Sequence, residues 1–129
     1  KPFTANLPRE ESSRYPHAQQ FGLVMDRDAL SERISNRVER MWEQGLVAEA
    51  EKLLVAGITQ GVTAQRALGY AQVIAQIEGK VTEEEAKEET KRATRQYARR
   101  QETWFSRDER ITWISPTQNA LQRILESIN

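Results

Sequence analysis

Cysteine is absent from this chain of 129 residues, and histidine occurs once. Without cysteine there can be no disulfide framework and no thiolate metal site, and a reducing compartment is permitted. With a single His17, set in a polar stretch beside Pro16, Gln19 and Gln20 and read as solvated, no Ser/His/acid or Cys/His set can be assembled for nucleophilic catalysis. A phosphate-cradling glycine loop is also missing. The only Gly-Lys pair, Gly79-Lys80, has no glycine five residues before it and no serine or threonine after it. No apolar run approaches the roughly 18 to 20 residues of a membrane span, and no apolar leader opens the chain. Net charge is lacking as well: 19 basic residues face 19 acidic ones, so any binding of an anionic partner must come from local clustering.

What is present is mostly helical periodicity. Residues 1–20, KPFTANLPREESSRYPHAQQ, hold three of the four prolines and no sustained period, and read as a linker that follows an N-terminal part missing from the chain. Phe21-Gly22-Leu23-Val24-Met25 reads as a buried strand. Asp28 is placed to cap a helix over 28–44, with Leu30, Ile34, Val38, Met41 and Trp42 inward and Gly45 as its stop. A second helix over 47–56, ended by Gly57, forms a hairpin with the first. A third runs from a cap at Thr63 to Gly79 and contains Gly69, a mid-helix glycine that costs about 1 kcal/mol relative to alanine. Thr82 and Glu85 form a capping box that opens the longest helix, about 83–107. Residues 110–115 form a second short strand, and 117–128 an amphipathic helix. Two lone strands make a poor sheet, so both are expected to belong to a larger α/β sheet with its other strands elsewhere.

Charge is segregated along the longest helix. Glu83, Glu84, Glu85, Glu88 and Glu89 come first, and Lys91, Arg92, Arg95, Arg99 and Arg100 follow, an order that complements the helix dipole, with Glu88 and Arg92 paired four apart. Residues 94–106, TRQYARRQETWFS, put Tyr97, Ala98, Gln101, Trp104 and Phe105 on one side and arginines on the other. The aromatics are read as core in preference to base-stacking platforms. The arc of Arg92, Arg95, Arg99, Arg100 and Arg107, with Gln96 and Gln101 nearby, fits phosphate contact with base-edge hydrogen bonding. On the first helix Arg33, Arg37 and Arg40 form a stripe that is either a solvated face or a guanidinium set for phosphate or diphosphate.

Three motifs in order carry a resemblance: Asp26-Arg27 through Arg33-Ile34, Arg37-Val38, Met41 and Gly45-Leu46; Arg66-Ala67-Leu68-Gly69-Tyr70; and Thr94-Arg95-Gln96-Tyr97-Ala98-Arg99-Arg100-Gln101 with Thr103-Trp104-Phe105. Over residues 1–113 the chain resembles the C-terminal portion of the tRNA dimethylallyltransferases, also called tRNA isopentenyltransferases. The resemblance implies a fold that is mostly α with two short strands, the C-terminal part of a P-loop-kinase-like α/β core. Residues 21–115 would belong to that core with its tRNA-contacting helices, and 116–129 to a C-terminal helix. It implies a cytoplasmic enzyme that transfers a dimethylallyl group from dimethylallyl diphosphate to N6 of the adenosine 3′ of the anticodon in tRNA, with no membrane partner.

On that resemblance Arg66, Ala67, Leu68, Gly69 and Tyr70, and again Arg99, Arg100, Gln101, Thr103, Trp104 and Phe105, correspond to contacts with the tRNA anticodon stem-loop, while Arg33 and Arg37 would lie near the diphosphate. Ala71-Gln72 depart from the family's usual basic-acidic pair. No catalytic residue and no metal ligand falls in the chain: the phosphate loop, the general-base Asp and the Mg2+ site would belong to the missing N-terminal half, leaving the isolated chain inactive. The alternatives are a free-standing helical RNA-binding module, a partner-binding helical piece, and a parent enzyme that prenylates free adenine nucleotides.

Overall fold

The computed structural model describes residues 17–58, 61, 63, 66–116 and 119–128; most of the expected linker lies outside them. In chain order the elements are β1 (Gln20–Leu23), α1 (Arg27–Glu43), α2 (Leu46–Val55), α3 (Tyr70–Ile77), α4 (Glu83–Phe105), β2 (Ile111–Ile114) and α5 (Ala120–Ile128). The chain is mostly helical with two short strands, as expected, and several boundaries move for identifiable reasons.

Asp26, rather than Asp28, caps α1: its Oδ2 accepts from the backbone N–H groups of Asp28 and Ala29 at 3.0 and 3.1 Å. Asp28 falls in the first turn, where its charge favours the dipole. The expected helix from Thr63 to Gly79 starts only at Tyr70. Gly69 is its N-cap and not an interior residue, with φ at +98°, a region where L side chains are strained. Its N–H donates to Gln72 Oε1 at 2.9 Å, and upstream of it the Arg66 N–H donates to the Thr63 carbonyl at 3.1 Å. Residues 64 and 65 of that expected helix lie outside the described residues. The Thr82/Glu85 capping box forms as predicted, with Thr82 N–H to Glu85 Oε2 at 2.8 Å and Glu85 N–H to Thr82 Oγ1 at 3.2 Å.

Ile34, Val38 and Trp42 of α1, Leu46 and Ala50 of α2, Val73 and Ile74 of α3 and Ala86 of α4 are buried. Val38, Trp42, Leu46, Ala50, Val73 and Ala86 form one cluster at the meeting of the four helices. Trp42 Nε1 donates to Gln76 Oε1 at 2.9 Å, so the indole is buried without an unsatisfied donor.

The two strands, expected to need partners elsewhere, pair with each other. β1 and β2 are parallel, with Gln20 opposite Ile111 and Leu23 opposite Ile114. Parallel neighbours require a long crossover, and α1 to α4 supply it. The pairing places Gly22 beside Trp113, and a Cβ at residue 22 would lie 2.6 Å from two carbons of the Trp113 ring. The turn from α4 into β2 is tied by Asp108, whose carboxylate takes two hydrogen bonds from the Arg110 guanidinium and is pulled down to about 2 by it.

Gly22→Ala is therefore expected to displace the Trp113 ring and cost about 1–3 kcal/mol of stability. Urea unfolding monitored by tryptophan fluorescence measures it. A variant as stable as the parent would mean that the ring is not held over Gly22.

Candidate nucleic-acid interface

The candidate interface rests on the way α1 and α4 lie against each other. They run antiparallel: Arg27 meets Glu102, Ser31 and Ser35 meet Arg95, and Glu39 meets Lys91 and Lys87. Spacing by four puts Ser31, Ser35 and Glu39 in one row on α1. At the Glu39 end the seam is an ion network. Lys91 Nζ, its side chain 9% exposed, is 2.6 Å from Glu39 and 2.7 Å from Glu88, and Lys87 bridges Glu39 and Glu83 at 3.2 and 2.8 Å. Hydrogen bonds from Lys91 and then Lys87 hold the Glu39 carboxyl below its ordinary 4.5. Glu39 raises Lys91 in turn, and Glu83 is the main cause of the rise at Lys87.

The expected arginine arc divides. Arg92 is paired within its own helix, with Nε and Nη2 on Glu89 at 2.8 and 2.6 Å, and the predicted Glu88–Arg92 pair is replaced by Glu89–Arg92 and Glu88–Lys91 at a spacing of three. Arg95 donates its Nε to Ser31 Oγ and its Nη2 to Ser35 Oγ, both at 2.8 Å. Arg99, Arg100 and Arg107 are exposed and make no ion pair among the described residues. Arg33 and Arg37 are likewise exposed on α1.

The aromatic side of α4 does not seat the helix, contrary to the reading of Tyr97, Trp104 and Phe105 as core. They are 50%, 60% and 41% exposed. The period is right, since these side chains continue the arc of Ala86 and Thr90, which are buried. The covering element is too short: α3 has 8 residues and α4 has 23, or about 12 Å against about 34 Å. Beyond Thr94 the arc runs past α3. Trp104 and Phe105 pack edge to face at 4.9 Å, and Phe105 lines an open cleft of about 670 Å³ with Phe21, Leu23, Ile111 and Trp113.

Of the two stretches expected to touch tRNA, one forms the end of α4 and the other leads into α3. Arg99, Arg100, Gln101, Thr103, Trp104 and Phe105 are all exposed in the last two turns of α4. Arg66, Ala67 and Leu68 are exposed just before α3, and Gly69 is buried. Ala71 and Gln72 line a cavity with Glu85 and Glu89, in the first half of α4. Tyr70 donates its hydroxyl to Glu49 Oε1 of α2, which raises the phenol above its usual 10. Among the described residues no three His, Asp or Glu side chains come together to hold a metal ion. The residues that sequence reasoning missed are Ser31 and Ser35; their spacing with Glu39 was visible, but only the packing shows that Arg95 meets them.

Residues 1–108 match the IPP transferase family. The chain is 51% identical to a tRNA dimethylallyltransferase of Streptomyces griseus over 114 residues, 88% of this chain and 36% of that protein. It is 58% identical to one of Thermobifida fusca over 113 residues, 88% of this chain and 35% of that protein. Among solved structures, a full-length tRNA isopentenylpyrophosphate transferase of Bacillus halodurans superposes with a TM-score of 0.76 at 40% identity, covering 86% of this chain and 37% of that one. The chain thus spans about a third of the length of the relatives it matches.

The α1–α4 ion network sets a pH dependence. Because the Glu39 carboxyl titrates below 4.5 in the folded chain, its contribution is present above that value and is lost as pH falls through the folded value. Lys91, raised above 10.5, contributes below that pH and loses its contribution as pH rises past it. Glu39→Gln is expected to cost about 1 kcal/mol near neutrality and to flatten the acid limb of stability against pH. Unfolding curves taken from neutrality down through pH 4.5 would show whether the two proteins converge; parallel curves would remove Glu39 from the seam.

Proposed function

The chain belongs to the IPP transferase family, and from that premise we propose that it is the C-terminal part of a tRNA dimethylallyltransferase, the part that grips the anticodon stem-loop. The whole enzyme moves a dimethylallyl group from dimethylallyl diphosphate to N6 of the adenosine 3′ of the anticodon. The observation that carries this reading is the end of α4. Arg99 and Arg100 are exposed and unpaired among the described residues, beside the Gln101 amide and the Trp104–Phe105 pair, while Arg92, Lys91 and Lys87, two to three turns earlier, are paired with carboxylates. Guanidinium groups suit phosphate, and exposed rings suit the splayed bases by which single-stranded RNA is read. An enzyme that alkylates a base must first draw it out of its stack, and a stacking surface beside phosphate contacts serves that step.

Arg33 and Arg37, one turn apart and exposed, are proposed to lie near the diphosphate, where a forked, permanent cation offsets the charge that develops on the leaving group. The general base and the Mg2+ site are assigned to the part of the enzyme outside this chain, so the isolated chain is expected to transfer no prenyl group. The second reading, a free-standing RNA-binding module, is favoured by the pairing of β1 with β2 and by the shared four-helix core. A parent enzyme acting on free adenine nucleotides would have less use for a row of exposed arginines and aromatics of this length.

Binding of the chain to an anticodon stem-loop RNA across a salt series tests the proposal. The Arg99→Ala/Arg100→Ala variant is expected to bind more weakly, with the slope of log affinity against log salt reduced by about 0.7 per charge removed. Trp104→Ala is expected to lose about 1–3 kcal/mol of binding. Affinity indifferent to the loop, to both arginines and to Trp104 would sink the assignment, and prenylation by the isolated chain would sink the prediction of inactivity.

A further inference from the structure

The α1–α4 seam changes character along its length. At Glu39 each lysine of α4 meets a carboxylate; one and two turns earlier on α1 the same row presents Ser35 and Ser31, and the cation facing them, Arg95, meets only neutral hydroxyls. Two of the five guanidinium N–H donors are used there, which leaves the Nη1 amino group and one hydrogen on Nη2. Arg95 is partly buried and lines a cleft of about 240 Å³ with Arg27, Ser31 and Arg99. A second cleft, of about 280 Å³, is lined by Arg27, Arg99, Thr103 and Ser106. Arg27, Arg99 and Glu102 are common to both, so the two form one groove along the α1 side of α4. The groove holds three guanidinium groups, from Arg27, Arg95 and Arg99, against two carboxylates, Asp28 and Glu102. Glu102 reaches Arg27 only at 3.7 Å, between side chains that are 53% and 80% exposed, a pair of little energetic weight.

We propose that this groove seats the sugar–phosphate backbone of RNA, with Arg27 and Arg95 as phosphate contacts in addition to Arg99. The inference rests on the tRNA reading given above and extends it from the end of α4 to the start of α1. Three forked donors spread along a groove suit successive phosphodiesters. The Arg95 guanidinium is held in place by two hydroxyls before any ligand arrives, so little side-chain freedom is lost on binding.

The test measures anticodon stem-loop RNA binding by the full 129-residue chain carrying Arg27→Gln, Arg95→Gln or Ser31→Asp, with Arg92→Gln as control. Arg27→Gln and Arg95→Gln are each expected to weaken binding about tenfold and to lower the salt slope by about 0.7. Ser31→Asp, which keeps every cation but places a carboxylate beside Arg95, is expected to weaken binding as well, and Arg92→Gln to leave it near the parent value. Circular dichroism checks each fold. Arg27, with its exposed side chain, keeps the test decisive should Arg95→Gln fail to fold. RNA binding that responds to Arg99→Ala/Arg100→Ala but not to Arg27→Gln overturns the groove and leaves the tRNA reading standing; no RNA binding by the parent chain overturns both. Inorganic diphosphate that competes with RNA only when Arg27 is present would assign the groove to a free phosphate compound and overturn the backbone assignment.

Discussion

The antiparallel contact of α1 with α4 is the constraint on which the other features depend. α1 follows β1 and α4 precedes β2, so the line of these two helices determines whether the strands arrive side by side and parallel. It also determines which α4 side chains stay in water. The contact is polar where many helix pairs are apolar: Glu39 between two lysines, then serine hydroxyls against a guanidinium. The apolar work is done one face over, where Val38 and Trp42 meet α3 and α2 around Val73. A polar seam contributes little net stability by comparison with that cluster, but it specifies the relative position of the helices, because a slide by one turn would leave Glu39 only one of its two lysines and Arg95 only one of its two serines.

Along α4 the charges are allotted according to that contact. Cations near the four-helix core carry carboxylate partners, which removes the cost of holding charge beside apolar surface. Past the end of α3 the pairing stops, and arginine, glutamine and aromatic side chains project together. The last two turns of α4 are therefore held by α1 on one side and bare on the other. That places a binding surface on a rigid helix without asking the core to tolerate unpaired charge.

Many of the elements were legible in the sequence because their causes are local. The Thr82/Glu85 capping box needs only residues three apart, and it forms where expected. The Ile34/Val38/Trp42 stripe needs only helical spacing and is buried. The errors arise where a local pattern was completed, or left incomplete, by something distant. Gly69 sits within a run of apolar residues at helical spacing, so the period hid a cap in the left-handed region. Tyr97, Trp104 and Phe105 carry the period of a core face, but the length of a neighbouring helix decides whether such a face is covered. Arg92 and Arg99 are indistinguishable by residue type, and only one has an acid three residues before it on the same face.

By itself the sequence determined the mostly helical class, the Thr82/Glu85 capping box, the apolar stripe of α1 and the motifs that mark the IPP transferase family, since each depends on residue type and short spacing along one chain. Tertiary structure alone decided that the two strands pair with each other, that Gly22 makes room for the Trp113 ring, that Arg95 answers to serines sixty residues away, and that the aromatic face of α4 meets water. Those outcomes depend on where one element ends relative to another, and periodicity within a single element carries no information about the length or position of its neighbours.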